Sequence, residues 1–192
     1  MAPKIELYDT TLRDGTQMEG ISLSVDDKLK IARKLDEVGV HFIEGGYPGS
    51  NPKDIEFFKR ICELKLRNAR VAAFGSTRRA GGAADNDPNL LALITAKTPV
   101  VTIVGKGSER QVLHVLETTP EENLAMLGDS IRFLKGHGRT VFFDAEHYFD
   151  GYFSDAGYAL QCLRTAAGAG ADCLVLCDTN GGTITSKVVE AV

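Results

Sequence analysis

Apolar residues along the chain gather in six short runs: IELYDT, HFIEGG, VAAFGS, VVTIVG, TVFFDAE and DCLVLCDT. They begin near Ile5, His41, Val71, Val100, Thr140 and Asp172. Each has strand length and is rich in β-branched or otherwise apolar residues, so each predicts a buried strand. Their starts are 36, 30, 29, 40 and 32 residues apart, about one strand–helix unit each. Between them the pattern turns helical and carries start signals. Ser24 precedes VDDKLKIARKLDEVG, with Asp27 as its capping partner and Gly39 at the end. Asn51-Pro52 opens a second helix, in which Ile55, Phe58 and Cys62 recur on one face. Asp87-Pro88, Thr119-Pro120-Glu121-Glu122 and Ser154-Asp155 open later ones, and a last helix begins near Thr183.

Strands that alternate with helices and are apolar almost throughout predict a parallel sheet covered by helices. A doubly wound nucleotide-binding sheet would place a GxGxxG loop after the first strand. Here that loop reads TLRDGTQMEG. Polar residues stand instead at the carboxyl ends of several strands, as a parallel (β/α) barrel of TIM type requires. A complete barrel takes ~250 residues and this chain has 192, so about six of the eight units are expected. No linker or low-complexity tract divides it.

Composition narrows the function. The balance of 22 Lys+Arg against 26 Asp+Glu gives a net charge of −4, with no long basic run, which argues against nucleic acid or an anionic membrane surface as partner. No apolar stretch approaches the ~18 residues of a membrane span, and MAPKIELYD lacks a signal-peptide apolar region. Cys62, Cys162, Cys173 and Cys177 form no CxxC or zinc pattern. Cys173 and Cys177 lie in an apolar run and are expected as buried free thiols. A reducing, cytoplasmic setting is expected.

The strand ends carry the chemistry. Asp9, Arg13 and Asp14 follow the first strand and Glu44 the second. Asp144 and Glu146 end the fifth, Asp178 and Thr179 the sixth. So many carboxylates at one mouth repel unless some are protonated, some meet backbone donors, or a cation sits among them. A hard dication such as Mg²⁺ or Mn²⁺ is the economical answer, with helix capping as the alternative for Asp9 and Asp178. Asp144 and Glu146 are two apart and face one side of a regular strand. Arg13 suits a developing oxyanion because its charge is permanent, and Glu44 is placed to hold it as a bidentate pair. His147, the one histidine at a strand end, is read as a supporting or surface residue. Lys106 and Arg110 in GKGSER, and Arg78-Arg79, form cationic loops that could meet phosphate or carboxylate groups, or simply face water.

At DTTLRDGTQ the sequence resembles the metal-dependent barrel family of isopropylmalate, homocitrate and citramalate synthases and hydroxymethylglutaryl-CoA lyase. The Glu of FIEGG completes the family's Asp-Arg-Glu signature, and FGSTRR, DAEHYFDGY and LCDTNGG look most like the citramalate synthase branch. The resemblance covers essentially the whole chain. It implies that 1–192 is the N-terminal part of a pyruvate carboxyltransferase-like catalytic barrel. It further implies a Claisen-type condensation of acetyl-CoA with pyruvate to citramalate, in isoleucine biosynthesis, by a cytoplasmic homodimer. By the same resemblance Asp14 ligates the metal (Mg²⁺ or Mn²⁺, with Zn²⁺ a further candidate). Arg13 polarises the 2-oxo group with Glu44 as its partner, Thr179 contacts the 2-oxo acid, and Asp144 and Glu146 line the substrate pocket, Glu146 with a catalytic part. The family's His-x-His metal ligands have no counterpart among the four histidines. The expectation is therefore a piece of a longer enzyme, inactive alone. The competing readings are a related isopropylmalate or homocitrate synthase, an acyl-CoA lyase of the same superfamily, and a binding domain that uses Arg78, Arg79 and Lys106.

Overall fold

The computed structural model describes residues 5–192. Six strands, β1 (Tyr8–Asp9), β2 (Phe42–Gly46), β3 (Arg70–Ser76), β4 (Val100–Lys106), β5 (Thr140–Glu146) and β6 (Cys173–Leu176), pair in parallel in the order β1-β2-β3-β4-β5-β6. They make a curled half-barrel in which sequence neighbours are spatial neighbours, with helices α1 (Val25–Val38), α2 (Pro52–Ile61), α3 (Pro88–Thr95), α4 (Glu109–His114), α5 (Pro120–Gly136), α6 (Tyr148–Ser154), α7 (Ala156–Gly168) and α8 (Thr185–Ala191) between and after the strands. This is the expected α/β barrel architecture, with six strands among the described residues.

Alternation along the strands sorts side chains into two cores. Ile43, Ala73, Val101, Ile103, Val141, Phe143 and Ala145 point toward the helices and join the main core with Phe57, Phe58, Leu93, Leu127 and Ile131. Phe42, Ala72, Val100 and Phe142 have the opposite parity and form a separate inner cluster with Tyr8 packed on it. Each buried large side chain contributes roughly 1.5–3 kcal/mol, so the helix-facing layer holds the sheet while the inner face is left to carry polar groups higher up.

The helix starts follow the sequence signals. The Ser24 hydroxyl accepts from the Asp27 N–H at 3.2 Å, and Asp27 returns a bond to the Ser24 N–H, closing a capping box. Gly39 ends α1 at φ 91°, a left-handed conformation costly for any residue with a Cβ. Asn51, Asp87, Thr119 and Asp155 cap α2, α3, α5 and α7 through their side chains. Four expectations need correction. The first strand is two residues long, although the Leu7 carbonyl still accepts from the His41 and Phe42 N–H groups at 3.0 Å each. In α2 the buried apolar residues are Phe57, Phe58 and Ile61, while Ile55 is exposed. GKGSER is not all loop, because Glu109 and Arg110 begin α4. Cys173 is exposed and Cys177 half-buried, because β6 has a strand on one side only among the described residues.

Candidate active site

The inner parity carries polar side chains toward the carboxyl ends of the strands. On β2 it runs from Phe42 to Glu44, and on β5 from Phe142 to Asp144 and Glu146. On β4 it runs from Val100 through Thr102 to Lys106. The register keeps these in step: Phe42 lies beside Tyr8, Thr102 beside Phe142, Val104 beside Asp144, and Lys106 beside Glu146. β5 stays regular to its end, so Asp144 and Glu146 do share a side. Among the described residues the register shifts once, in β2 between Glu44 and Gly46.

Glu44 is the anchor. It is fully buried, and each carboxylate oxygen has its own donor. Oε1 accepts from the Arg13 Nε–H, and Oε2 accepts from the Tyr8 hydroxyl at 2.5 Å. The pairing with Arg13 is therefore monodentate rather than the expected bidentate fork, because the tyrosine occupies the second oxygen. Burial pushes the Glu44 carboxyl above its usual range, and Arg13 and Tyr8 draw it part of the way back. The Arg13 guanidinium lies over the Phe74 ring, 3.8 Å from its centroid, and reaches Asp14 Oδ1 through NH1 at 3.0 Å. Arg13, Asp14 and Glu44 thus come together as a unit, with Asp14 outermost, its side chain 62% exposed.

Asp144 faces the same space, and among the described residues it has no hydrogen bond or ion pair. Burial, and next the charge of Glu44, push its carboxyl up to about 7. Burial and the charges of Asp144, Glu146 and Glu44 push the nearby Cys177 thiol up to about 12. Glu146 pairs across the strands with Lys106. Thr179, exposed in the loop after β6, accepts the His147 N–H at 2.8 Å, and the His147 ring meets Asp150 at 3.0 Å.

Two acids assigned to the mouth do other work. Asp9 lies beside Ile43, whose parity faces the helices, and it accepts from the Thr11 N–H at 3.0 Å to shape its own turn. Asp178 accepts from the Thr183 N–H at 3.0 Å and its hydroxyl at 2.8 Å, which holds its carboxyl below the usual range. The cationic loops also resolve. Arg78 is buried in a latch with Glu122 and Asp129 at 2.7 and 2.8 Å, and Lys106 is committed to Glu146. Neither is free for an anion, while Arg79 and Arg110 are exposed. Sequence reasoning missed Tyr8, Thr102 and Phe74. The available signal was parity: Thr102 is the polar residue inside the apolar run VVTIVG, at a position that faces inward.

Glu44 and Glu146 are thus ion-paired, while burial and the charge of Glu44 push the Asp144 carboxyl up. Among the described residues no group of three or more His, Cys, Asp or Glu side chains could hold a metal ion. Asp14 offers one carboxylate, with one oxygen already on Arg13. The described residues do not by themselves make a metal site.

Comparison with known proteins fits this geometry. A family model described as HMGL-like matches residues 4–192. The (R)-citramalate synthase of Geobacter sulfurreducens is 55% identical over 188 residues, which cover 98% of this chain and 36% of that protein. The chain thus spans about a third of the length of such a curated relative. Among solved structures, the HMG-CoA lyase of Bacillus subtilis superposes with a TM-score of 0.80 at 17% identity, covering 98% of this chain and 62% of that one. An HMG-CoA lyase from Acinetobacter baumannii, in complex with coenzyme A and 3-methylmalate, gives a TM-score of 0.76 at 18% identity, covering 97% and 60%. At these identities the two structures establish the fold alone. No helix of the described residues is long and apolar enough to cross a membrane.

Proposed function

This chain belongs to the HMGL-like family, and on that premise we propose that the whole protein is an acyltransferase that condenses acetyl-CoA with pyruvate to give citramalate. The observation that carries the reading is the Arg13–Glu44–Asp14 unit at the open end of the half-barrel, in a chain 55% identical to a citramalate synthase. The lyases share the fold at far lower identity, which favours condensation over cleavage.

In the proposed reaction a base removes a methyl proton from acetyl-CoA, and the enolate carbon forms a bond to the keto carbon of pyruvate. The keto oxygen becomes an alkoxide and takes a proton. Water then cleaves the thioester, and CoA leaves with the remaining proton. Arg13 polarises the keto oxygen and stabilises the alkoxide without entering the proton traffic, since a guanidinium keeps its charge. Glu44 holds it in place. Asp144 and Glu146 line the substrate side of the pocket, the second held by Lys106, and Thr179 keeps a hydroxyl proton with which to meet the 2-oxo acid. The proposal gives Asp14 to a divalent cation, Mg²⁺ or Mn²⁺, whose other ligands are not among the described residues, and no step here is routed through it. It places residues 1–192 in the catalytic barrel of a cytoplasmic, homodimeric enzyme of isoleucine biosynthesis.

The test is release of free CoA by the full-length protein from acetyl-CoA with pyruvate, 2-oxoisovalerate or 2-oxoglutarate, the product being weighed by mass spectrometry. Pyruvate is expected to react best and to yield citramalate. An apolar pocket separates such tails by only about 1–3 kcal/mol per methylene, so slow turnover of the longer acids is compatible with the reading. No release with any of the three sinks it. Arg13→Lys removes the forked donor set and is expected to lower kcat by about 10²–10³-fold.

A further inference from the structure

Beneath the Arg13–Glu44 pair lies a chain of hydroxyls that neither the family resemblance nor the relatives' names assign. The Tyr8 hydroxyl stands 2.5 Å from Glu44 Oε2 and 2.6 Å from the Thr102 Oγ1. A carboxylate only accepts, so the phenol gives its single proton to Glu44, and Thr102 must donate to the phenol oxygen. Every bond then runs one way, from Thr102 on β4 to Tyr8 on β1 to Glu44 on β2, and aligned bonds of this kind polarise one another. The phenol is fixed in turn by its ring, which packs on Phe42 and Phe142 with centroids 6.0 and 5.8 Å away. Glu44 is fully buried, so losing the Tyr8 hydroxyl leaves its second oxygen short of a donor, and a buried carboxylate in that position turns toward another. Arg13 Nε–H is bonded to the other oxygen, and a turn of the carboxylate moves the guanidinium.

We propose that Tyr8, backed by Thr102, is a positioning residue that fixes the orientation of Glu44 and through it aims the Arg13 guanidinium at the reacting oxygen. The inference rests on the reading of Arg13 given above. It adds that the aim is set from the floor of the barrel, by a residue on the first strand that never touches substrate. Arg13 gains its grip on the oxyanion in the transition state, so mis-aiming it costs turnover more than binding.

Tyr8→Phe keeps the ring and its packing and deletes only the hydroxyl; Thr102→Val does the same for the second donor. In the full-length enzyme, assayed with acetyl-CoA and pyruvate, Tyr8→Phe is expected to lower kcat by about 10–100-fold, as support for an active-site side chain typically does. The KM for pyruvate should move by less than about threefold. Thr102→Val should show a smaller loss of the same kind. In a Glu44→Ala background Tyr8→Phe should cost nothing further, because its route to Arg13 is already cut. A Tyr8→Phe enzyme with wild-type kcat, or one that loses the same factor with or without Glu44, overturns the proposal. Crystal structures of wild type and Tyr8→Phe decide it independently of turnover. The guanidinium is expected to leave the Phe74 ring in the variant, and an unmoved Arg13 overturns the proposal. If the wild-type enzyme does not turn over acetyl-CoA and pyruvate at all, the condensation reading fails by itself, and the pair of structures still settles whether Tyr8 aims Arg13.

Discussion

Asp144 shares the inner parity of β5 with Phe142 below it and Glu146 above, and unlike Glu44 and Glu146 it has no hydrogen-bond or ion-pair partner among the described residues. Its carboxyl, pushed up to about 7 by burial and then by Glu44, makes stability depend on pH. The folded-state pKa is raised above the unfolded value, so its contribution is fully present below about pH 4 and is lost as pH rises toward and through 7. Asp144→Asn removes the penalty. The variant is expected to melt higher than wild type at pH 8, by on the order of 1–2 kcal/mol because water reaches the half-buried side chain, and to match it at pH 4. Thermal denaturation across that range checks this; an equal difference at both pH values would mean that Asp144 titrates normally. Glu44 shows the opposite strategy. More deeply buried than Asp144, it is held between a guanidinium and a phenol.

Among the elements, the six strands were legible because fully buried parallel strands leave dense apolar runs and their helices leave caps. Val100 and Thr140 begin their strands where the pattern puts them, and Ser24, Asn51, Asp87, Thr119 and Asp155 cap where expected. Helices α4 and α6 were not legible, since one or two turns of helix are too short to show a period. In α2 the choice between Ile55 and Phe57 turned on how the helix is rolled against β2, which apolar character alone does not decide. Asp9 was misassigned because a strand end does not declare its parity until the register is known, and Tyr8 was passed over for the same reason.

Helix α6 also yields a prediction at this scale. At Gly151 a Cβ would stand 2.3 Å from the Gly107 carbonyl oxygen and 2.9 Å from the Ser108 Cα. Both are backbone atoms with no side chain to swing aside, so Gly151→Ala must push α6 off the β4–α4 connection. Overpacking of this kind costs about 1–3 kcal/mol. The loss should appear as a lower denaturant midpoint with an unchanged slope. The displacement should also loosen the ties from His147 and Asp150 to Thr179 and Asn180. A midpoint equal to wild type would mean that the two segments do not press together in solution. By contrast Ser24→Ala, which opens the α1 capping box, should cost about 1 kcal/mol and leave the carboxyl-end loops untouched.

For the molecule as a whole, the division of labour between the two cores has a consequence for metal binding. The helix-facing core needs nothing beyond the described residues to bury Ile43, Val101, Val141 and Phe143, so the 192-residue chain has what it needs to hold Arg13, Asp14 and Glu44 in place. The inner face is different. β1 and β6 each have one neighbour among the described residues, and no group of three or more His, Cys, Asp or Glu side chains among them could hold a metal ion, so Asp14 is the one ligand the proposal gives a dication. A hard cation wants about six oxygens, and a single carboxylate does not displace enough water to hold it. Asp14 is further weakened as a ligand by its bond to Arg13 at 3.0 Å. Expressed as these 192 residues, the chain is expected to fold and yet to release no CoA from acetyl-CoA and pyruvate. Calorimetric titration with Mg²⁺ or Mn²⁺ should show no saturation below roughly millimolar concentrations. The same titration of the full-length protein should saturate, and Asp14→Asn should weaken it there while leaving the fold intact. Turnover or tight metal binding by the 192-residue chain would mean that the half-barrel completes its own coordination sphere, and the role given to Asp14 would have to be withdrawn.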